Sequence, residues 1–547
     1  MSSPVTPAGP KRPSGLARAF PFVVIALAVL VLAYVWLFTG TETDSSNLSL
    51  AKMGTVLVAG SLLLFWALWL SGWRRRFVWF GVLWLIGLPM LIWKPASMNG
   101  KFFPIFVVRD WVQDTFLEGS PDTVLEQHRL AQGKAVGGAD LTVQLGDSPA
   151  YRGPNRDGVL TGAPIVRDWL KAPPKEVWRQ PVGGGYAGFS VANGFLITIE
   201  QRRDKEVVAC YDAATGKEVW TSSWTTRFEE SLGGPGPRAT PTIAGGDVFA
   251  LGANGRLVCL DGKDGREKWA VETLEGNANV QWAQSGSPLV VDNLVIVNPG
   301  AQTDAARGRA VRAYDRVTGK EVWAAGNHPA GYCSPHPAML GGKRQVLIFH
   351  AAGLAGHDLT TGGELWRFSY PTYMGINVAQ PIVLDDTSIV LAAGYSVGGA
   401  RIKVTEAGGK WNVAEVWRTK NTVMRWKFAS GVYNKHANGD YAYGLNDGIL
   451  ECVDLKTGKQ VWKDDRRAKA GEAFGHGQIL LYDDLIVALT EYGELVLVEA
   501  TPDAFRELGR FQALTKGPKT WNTPAIAQGR VYVRNEEQMA CFDLSGK

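Results

Sequence analysis

The sequence predicts an all-β, eight-bladed β-propeller with four-stranded antiparallel blades, carried behind three N-terminal transmembrane helices. Three observations predict it. The unit Asp-x-x-x-Gly-x-x-x-Trp occurs five times with unchanged spacing: Asp212 to Trp220, Asp261 to Trp269, Asp315 to Trp323, Asp358 to Trp366 and Asp454 to Trp462. Eight two-residue polar turns, from Asn193-Gly194 to Gln528-Gly529, recur about every 48 residues, the period of a four-stranded blade. Three long apolar runs precede all of these repeats.

The repeat has legible chemistry. Its Asp can accept hydrogen bonds from the backbone of the turn it opens, and its Gly supplies the positive φ of a tight hairpin. The Trp leaves on the return strand with a large apolar face to bury. Between Ser287 and Ala325 the pattern SPLVV, turn, LVIVN, loop, RAVRAYD, turn, KEVWAA lays out strands A, B, C and D in order. Two repeats are degenerate: Thr405 to Trp417 has a longer turn, and Glu499 to Phe511 puts Phe where Trp belongs. The eighth has strands A to C and no D. An orphan KEVW at Lys175 to Trp178, ahead of the first blade, matches the D strands and is expected to close the ring. The structural tryptophans are therefore Trp178, Trp220, Trp269, Trp323, Trp366, Trp417 and Trp462.

Residues 1–18 read as a disordered cytoplasmic tail, and 19–93 as three spans at about 20–39, 53–73 and 77–93. The first lacks an Ala-x-Ala cleavage pattern and is expected to be retained. Lys11, Arg12 and Arg18 precede it, the next loop carries Glu42, Asp44 and only Lys52, and Arg74, Arg75 and Arg76 separate the last two spans. The positive-inside rule then places the tail and the arginine hairpin in the cytoplasm and everything after Trp93 in the periplasm, on a bacterial inner membrane. Of the net charge of +5, the first 100 residues hold eight Lys/Arg against two Asp/Glu, leaving 49 against 50 for the rest. The basicity belongs to the anchor, which argues against a nucleic-acid partner.

Residues 94–150 read as a juxtamembrane linker with one short helix opened by Ser120-Pro121-Asp122, and the propeller as 151–547. At its start, Tyr151 to Leu160 is dense in turn formers and is expected to cap the ring. No phosphate-binding glycine motif follows a strand there.

Catalytic signatures are absent from the sequence. The seven histidines lack metal-ligand spacing, no nucleophile elbow or His-Glu-x-x-His occurs, and no metal or catalytic residue is assigned. Cys210, Cys259, Cys452 and Cys541 each lie two residues before the repeat Asp or its equivalent, a small buried strand position, and no disulfide is expected.

Function is expected on one face. The A–B and C–D turns share one end of the ring, so the individual D–A crossovers and B–C loops share the other. They bring Arg227, Glu229, Arg238, Trp282, His336, Arg425, Lys427, His476 and Trp521 towards the channel mouth, a set suited to an anionic or extended peptide partner. The opposing reading is that these charges only pair with one another.

The Asp-x-x-Thr-Gly-Lys-x-x-Trp repeats resemble the tryptophan-docking repeats of the pyrroloquinoline quinone (PQQ)-like β-propellers, a superfamily of quinoprotein dehydrogenases and the assembly factor BamB. RGPNRDG (Arg152 to Gly158), GGPGPRATPT (Gly233 to Thr242), GHGQILL (Gly475 to Leu481) and KTWNTPA (Lys519 to Ala525) are similar to bacterial PQQ-binding-like propeller proteins. The resemblance implies the fold across 151–547 and leaves the activity open. Quinoprotein alcohol dehydrogenases use adjacent cysteines beside the quinone, calcium ligands from Glu, Asn and Asp, and an Asp base; this chain has no Cys-Cys pair. The expectation is a membrane-anchored binding or scaffolding module for a protein or peptide, with no cofactor. The alternative is a quinoprotein dehydrogenase holding PQQ and calcium and oxidising an alcohol or sugar.

Overall fold

The computed structural model describes residues 15–38, 45–70, 81, 84, 87, 89–99, 104–117, 119–133, 138–464, 473–517 and 519–546. It contains two compact units, Met1–Glu118 and Gly119–Lys547. In the first, helix Gly15–Phe38 packs against helix Ser45–Phe65, which runs on into a π-helical turn, Trp66–Leu70. Leu48–Phe65 is the one helical stretch among the described residues long and apolar enough to cross a membrane; the apolar stretch Ala19–Val35 is shorter. The helix that covers the second predicted span starts at Ser45, ahead of Met53.

Much of the third predicted span, the arginine hairpin and most of the tail lie outside the described residues. Of that span Pro89–Ile92 is helical, and Trp93 instead opens a strand, Trp93–Met98, antiparallel to Pro104–Val108. Pro95 sits where the register slips, the position in a ladder that tolerates a residue with no N–H. A helix, Asp110–Phe116, follows. The stretch expected to be a linker with one helix thus also holds a hairpin and a second helix.

The second unit is the propeller. Seven sets of four antiparallel strands run in chain order over 190–225, 242–272, 289–325, 336–369, 382–418, 432–463 and 478–512, which we number blades 1 to 7; the seventh gains one further strand, described below. Blade 8 takes strands A to C from 525–543 and strand D from Lys175–Pro181, with Trp178 opposite Cys541 and Pro181 opposite Gln538. The orphan KEVW is the closing strand.

The repeat works between blades as well as within them. Inside its own turn the Asp212 carboxylate accepts from the N–H groups of Ala214 and Thr215 and from the Thr215 hydroxyl, at 3.1, 2.8 and 2.7 Å. Across the seam, Trp178 Nε1 donates to Ala213 O at 3.0 Å, Trp220 to Gly262 O at 2.9 Å and Trp269 to Arg316 O at 3.0 Å, each time the residue after the next blade's Asp. The indole then lies on that blade's turn glycine: a Cβ on Gly319 would fall 2.7 Å from Trp269. Glycine is demanded twice, by φ of 68° and by the ring of the preceding blade.

Blade 5 shows the rule by breaking it. Its C–D hairpin turns at Gly408-Gly409 and offers no Asp/Gly unit, so Trp366 donates instead to Gln345 Oε1 of its own blade at 2.7 Å. The cysteine register has a matching cause. Cys210, Cys259, Cys452 and Cys541 lie directly opposite Trp220, Trp269, Trp462 and Trp178, just before a one-residue bulge, where a large side chain would collide with the indole. All five cysteines are buried thiols outside any disulfide.

The A strands are joined by a belt of side-chain oxygens, each accepting from a backbone N–H of the preceding blade. Gly188 N donates to Thr240 Oγ1, Thr240 N to Ser287 Oγ, Ser287 N to Ser334 Oγ, Ser334 N to Gln380 Oε1 and Gln380 N to Ser430 Oγ, all at 2.9 to 3.1 Å. The helix predicted in the linker, Pro121–Gln132, docks on blade 1 through Arg129, whose guanidinium grips Glu218 at 2.9 to 3.1 Å. Residues 139–148 then run along the A–B and C–D turns, where Asp147 accepts from Asn193 N and Gln528 Nε2.

Candidate functional site at the crossover face

From Ser148 the chain enters the channel. Ser148 bridges to Val191, Pro149 O accepts from Ile243 N, and Val159–Leu160 adds a parallel fifth strand to strand A of blade 7. Between them the two arginines of RGPNRDG span the axis. Arg152 donates to Ser430 O, Gly431 O and Ile479 O, and Arg156 to Ser287 O and Pro288 O, so the segment ties together A strands on both sides of the ring. The stretch expected as a cap is a plug inserted from the turn face. Burial lowers the pKa of both guanidinium groups, Arg156 to about 10.

The plug also decides what the nine predicted crossover-face residues become. His336 opens strand A of blade 4 and is buried beside it. Burial, reinforced by Arg156 and Arg152, pushes its ring down to about 3, so it is neutral at pH 7. Arg425 is buried with Nε on Asn446 Oδ1 at 3.0 Å. Arg227 and Glu229 form an exposed pair at 2.7 Å, and Trp282 packs against Tyr332 with centroids 5.6 Å apart.

The remaining four join one contiguous cluster at the mouth. Arg238 lies over Phe228 at 4.6 Å and over Tyr186 at 5.5 Å; Tyr186 touches Trp521 at 5.5 Å; Trp521 stacks on Phe428 at 4.6 Å; Phe428 meets the His476 ring edge-on at 5.4 Å. Asp447 completes it, 3.6 Å from His476 Nε2 and 2.9 Å from the Lys427 ammonium, both inside the protein. The mutual-pairing reading thus describes Arg227 with Glu229, Arg238 with Glu230 at 3.8 Å, and Lys427 and His476 with Asp447.

Sequence reasoning missed several members of this cluster. Lys519 places its ammonium 4.3 Å from the Trp521 centroid and donates to Leu232 O at 3.0 Å; burial brings its pKa down to about 8. Glu536, in the B–C loop of blade 8, accepts from the Tyr186 hydroxyl, and burial raises its carboxyl pKa. Lys519 stands in the KTWNTPA motif and was in reach of the sequence; Tyr186, Phe428 and Glu536 carry no repeat signal. The arrangement is an aromatic platform edged by two cations, able to receive a planar or anionic group, or a side chain of a partner.

A quinone-and-calcium site would need more than a platform. The Trp521 ring already has Phe428, Tyr186 and Lys519 against it, and the Cys333 thiol, paired with Gln380, has no adjacent cysteine. Among the described residues, the one trio of His, Cys, Asp or Glu that could share an ion is His328, His357 and Glu364, between blades 3 and 4 and away from the mouth. The adjacent-cysteine pair of the quinoprotein alcohol dehydrogenases has no counterpart in this chain. Two members of that trio are histidines without ligand spacing in the sequence that nonetheless meet in space.

A family model described as outer membrane protein assembly factor BamB matches residues 172–303, 203–464 and 445–547. The dehydrogenase subunit of a quinone-type alcohol dehydrogenase from Acetobacter aceti is 32% identical over 268 residues, 47% of this chain and 32% of that protein. The chain thus spans about a third of that relative's length. Outer membrane protein assembly factor BamB of Burkholderia pseudomallei (strain K96243) is 25% identical over 299 residues, 53% of this chain and 69% of that one. Among solved structures, the quinohemoprotein alcohol dehydrogenase ADHIIG of Pseudomonas putida HK5 superposes with a TM-score of 0.50 at 12% identity, covering 77% of this chain and 82% of that one, a likeness of fold.

Proposed function

Because the chain belongs to the family described as outer membrane protein assembly factor BamB, a PQQ-like β-propeller family, we propose that it is a binding or scaffolding module that holds a protein segment on its crossover face. The observation that carries this reading is the division of labour around the channel. The axis is filled by the plug, and the buried charges Lys427, Asp447 and His476 are engaged with one another. Beside the exposed Arg227–Glu229 pair, the face presents aromatic rings: Trp282 and Tyr332 half-buried, and Tyr373 66% exposed with Met374 beside it at 56%. Large rigid rings of this kind anchor protein partners at little entropic cost. The anchor and the cation pattern support an inner-membrane protein, with three spans and the ring on the periplasmic side, whose other contact is the lipid bilayer.

Photocrosslinking tests the face. A photoreactive residue at Trp282 or Tyr373 is expected to give discrete protein adducts in cells, and one at Val317, on a C–D turn, none. Adducts only from Val317 would overturn the reading.

A second reading comes from the relatives, among them the dehydrogenase subunit of a quinone-type alcohol dehydrogenase from Acetobacter aceti. On that reading the chain is a quinoprotein dehydrogenase of an alcohol or sugar. Addition of PQQ and calcium to the purified protein followed by dye-linked oxidation decides it: saturable turnover establishes the enzyme, and its absence retains the binding module.

A further inference from the structure

His328 sits on the crossover from blade 3 to blade 4, His357 in strand C of blade 4 and Glu364 at the start of strand D. His357 and Glu364 are cross-strand partners, and His328 is brought over them by a crossover pinned at its backbone, with Ala301 N donating to His328 O at 3.0 Å. The ligand-type atoms of the three side chains lie within 4.8 Å of one another, with His328 Nε2 4.0 Å from Glu364 Oε2.

Each side chain is oriented from behind. His357 Nδ1 lies 2.9 Å from Gly362 O, a contact that needs the proton on Nδ1 and leaves the Nε2 lone pair pointing away. Glu364 Oε1 takes Arg367 Nε, which turns Oε2 towards the histidines. The His328 ring is stacked flat on His350, centroids 3.5 Å apart and planes at 4°, while His350 Nδ1 is occupied by Ala352 N. His328 Nε2 and His357 Nε2 are nonetheless buried with no hydrogen-bond partner. Two such nitrogens beside a carboxylate are an unusual way to leave a protein interior, since buried polar atoms are nearly always satisfied.

We propose that His328, His357 and Glu364 bind one divalent transition-metal ion of the zinc class, which pins strand D of blade 4 to the crossover from blade 3. Two imidazole nitrogens and one carboxylate oxygen suit Zn2+, Co2+ or Ni2+ and not the all-oxygen preference of Ca2+ or Mg2+. A separation of 4.0 Å is slightly wider than ligands of one ion require, and small rotations of His328 and Glu364 close it. Both are partly open to solvent, His328 at 11% and Glu364 at 21%, which leaves an entry route and room for water as a fourth ligand.

The test uses the full-length, tag-free protein in detergent after chelator treatment. Titration with Co2+ is expected to produce visible d–d bands that saturate at one equivalent, and Zn2+ to raise the Tm and bleach those bands, while Ca2+ and Mg2+ do neither. His328→Ala and Glu364→Gln, both near the surface, should each weaken binding at least about tenfold. His128→Ala, in the docking helix, should leave it unchanged. Lack of stoichiometric uptake, or uptake undiminished in both H328A and E364Q, would overturn the site.

Discussion

At the scale of single residues, the turn glycines do two separable things. Gly319 and Gly246 both have positive φ, 68° and 81°, but a Cβ on Gly319 meets Trp269 whereas one on Gly246 meets nothing within 4 Å. Gly246→Ala should therefore cost only the left-handed backbone penalty, about 1–2 kcal/mol. Gly319→Ala adds the displacement of an indole from a packed seam, for a total of about 2–5 kcal/mol. Denaturant midpoints of the two variants check the difference, and equal losses would mean that the Trp seat contributes little. The Asp, Gly and Trp of this unit were legible in the sequence, as was the turn chemistry. Their partner across the seam was not, because spacing within a repeat is silent about which blade the indole lands on. The metal trio was hidden for a related reason: 328, 357 and 364 come from a crossover and two strands and have no local ligand spacing.

At the scale of elements, ring closure was readable from the sequence because Lys175 to Trp178 repeats a strand otherwise missing. The plug was not. Tyr151 to Leu160 is turn-rich and aperiodic, and its place is decided by Arg152 and Arg156 reaching carbonyls more than a hundred residues away. A chain beginning at Phe189 lacks strand D of blade 8, the plug and the docking helix. Removing Trp178 from its seat alone should cost about 3–5 kcal/mol, so that chain should melt far below one beginning at Gly119 or fail to fold as a monomer. Equal melting temperatures would show that the donated strand does not hold the ring. The mouth cluster was half visible: Arg238 and Trp521 stand in motifs, whereas Tyr186 and Phe428 are single aromatics in loops, which no period marks.

At the scale of the whole molecule, the charge pattern makes a prediction independent of the ring. A reporter that needs export should be active when fused after Gly119, and a cytoplasmic reporter when fused at Arg75; the opposite outcome at either position would reverse the orientation. The seam of blade 8 has a consequence for the order of events in folding. Blades 1 to 7 can complete their four strands as they emerge, whereas Lys175–Pro181, among the earliest parts of this unit to be synthesised, finds its partner only when Gln538–Asp543 has been made. Until then the cell holds a nearly finished ring with two bare strand edges, the kind of surface on which neighbouring chains exchange strands. Closure over so long a loop is slow compared with hairpin formation. The vulnerable species of this protein is thus the open ring awaiting its last blade, and dilution or a holding chaperone should improve its yield more than any gain in the stability of the finished fold.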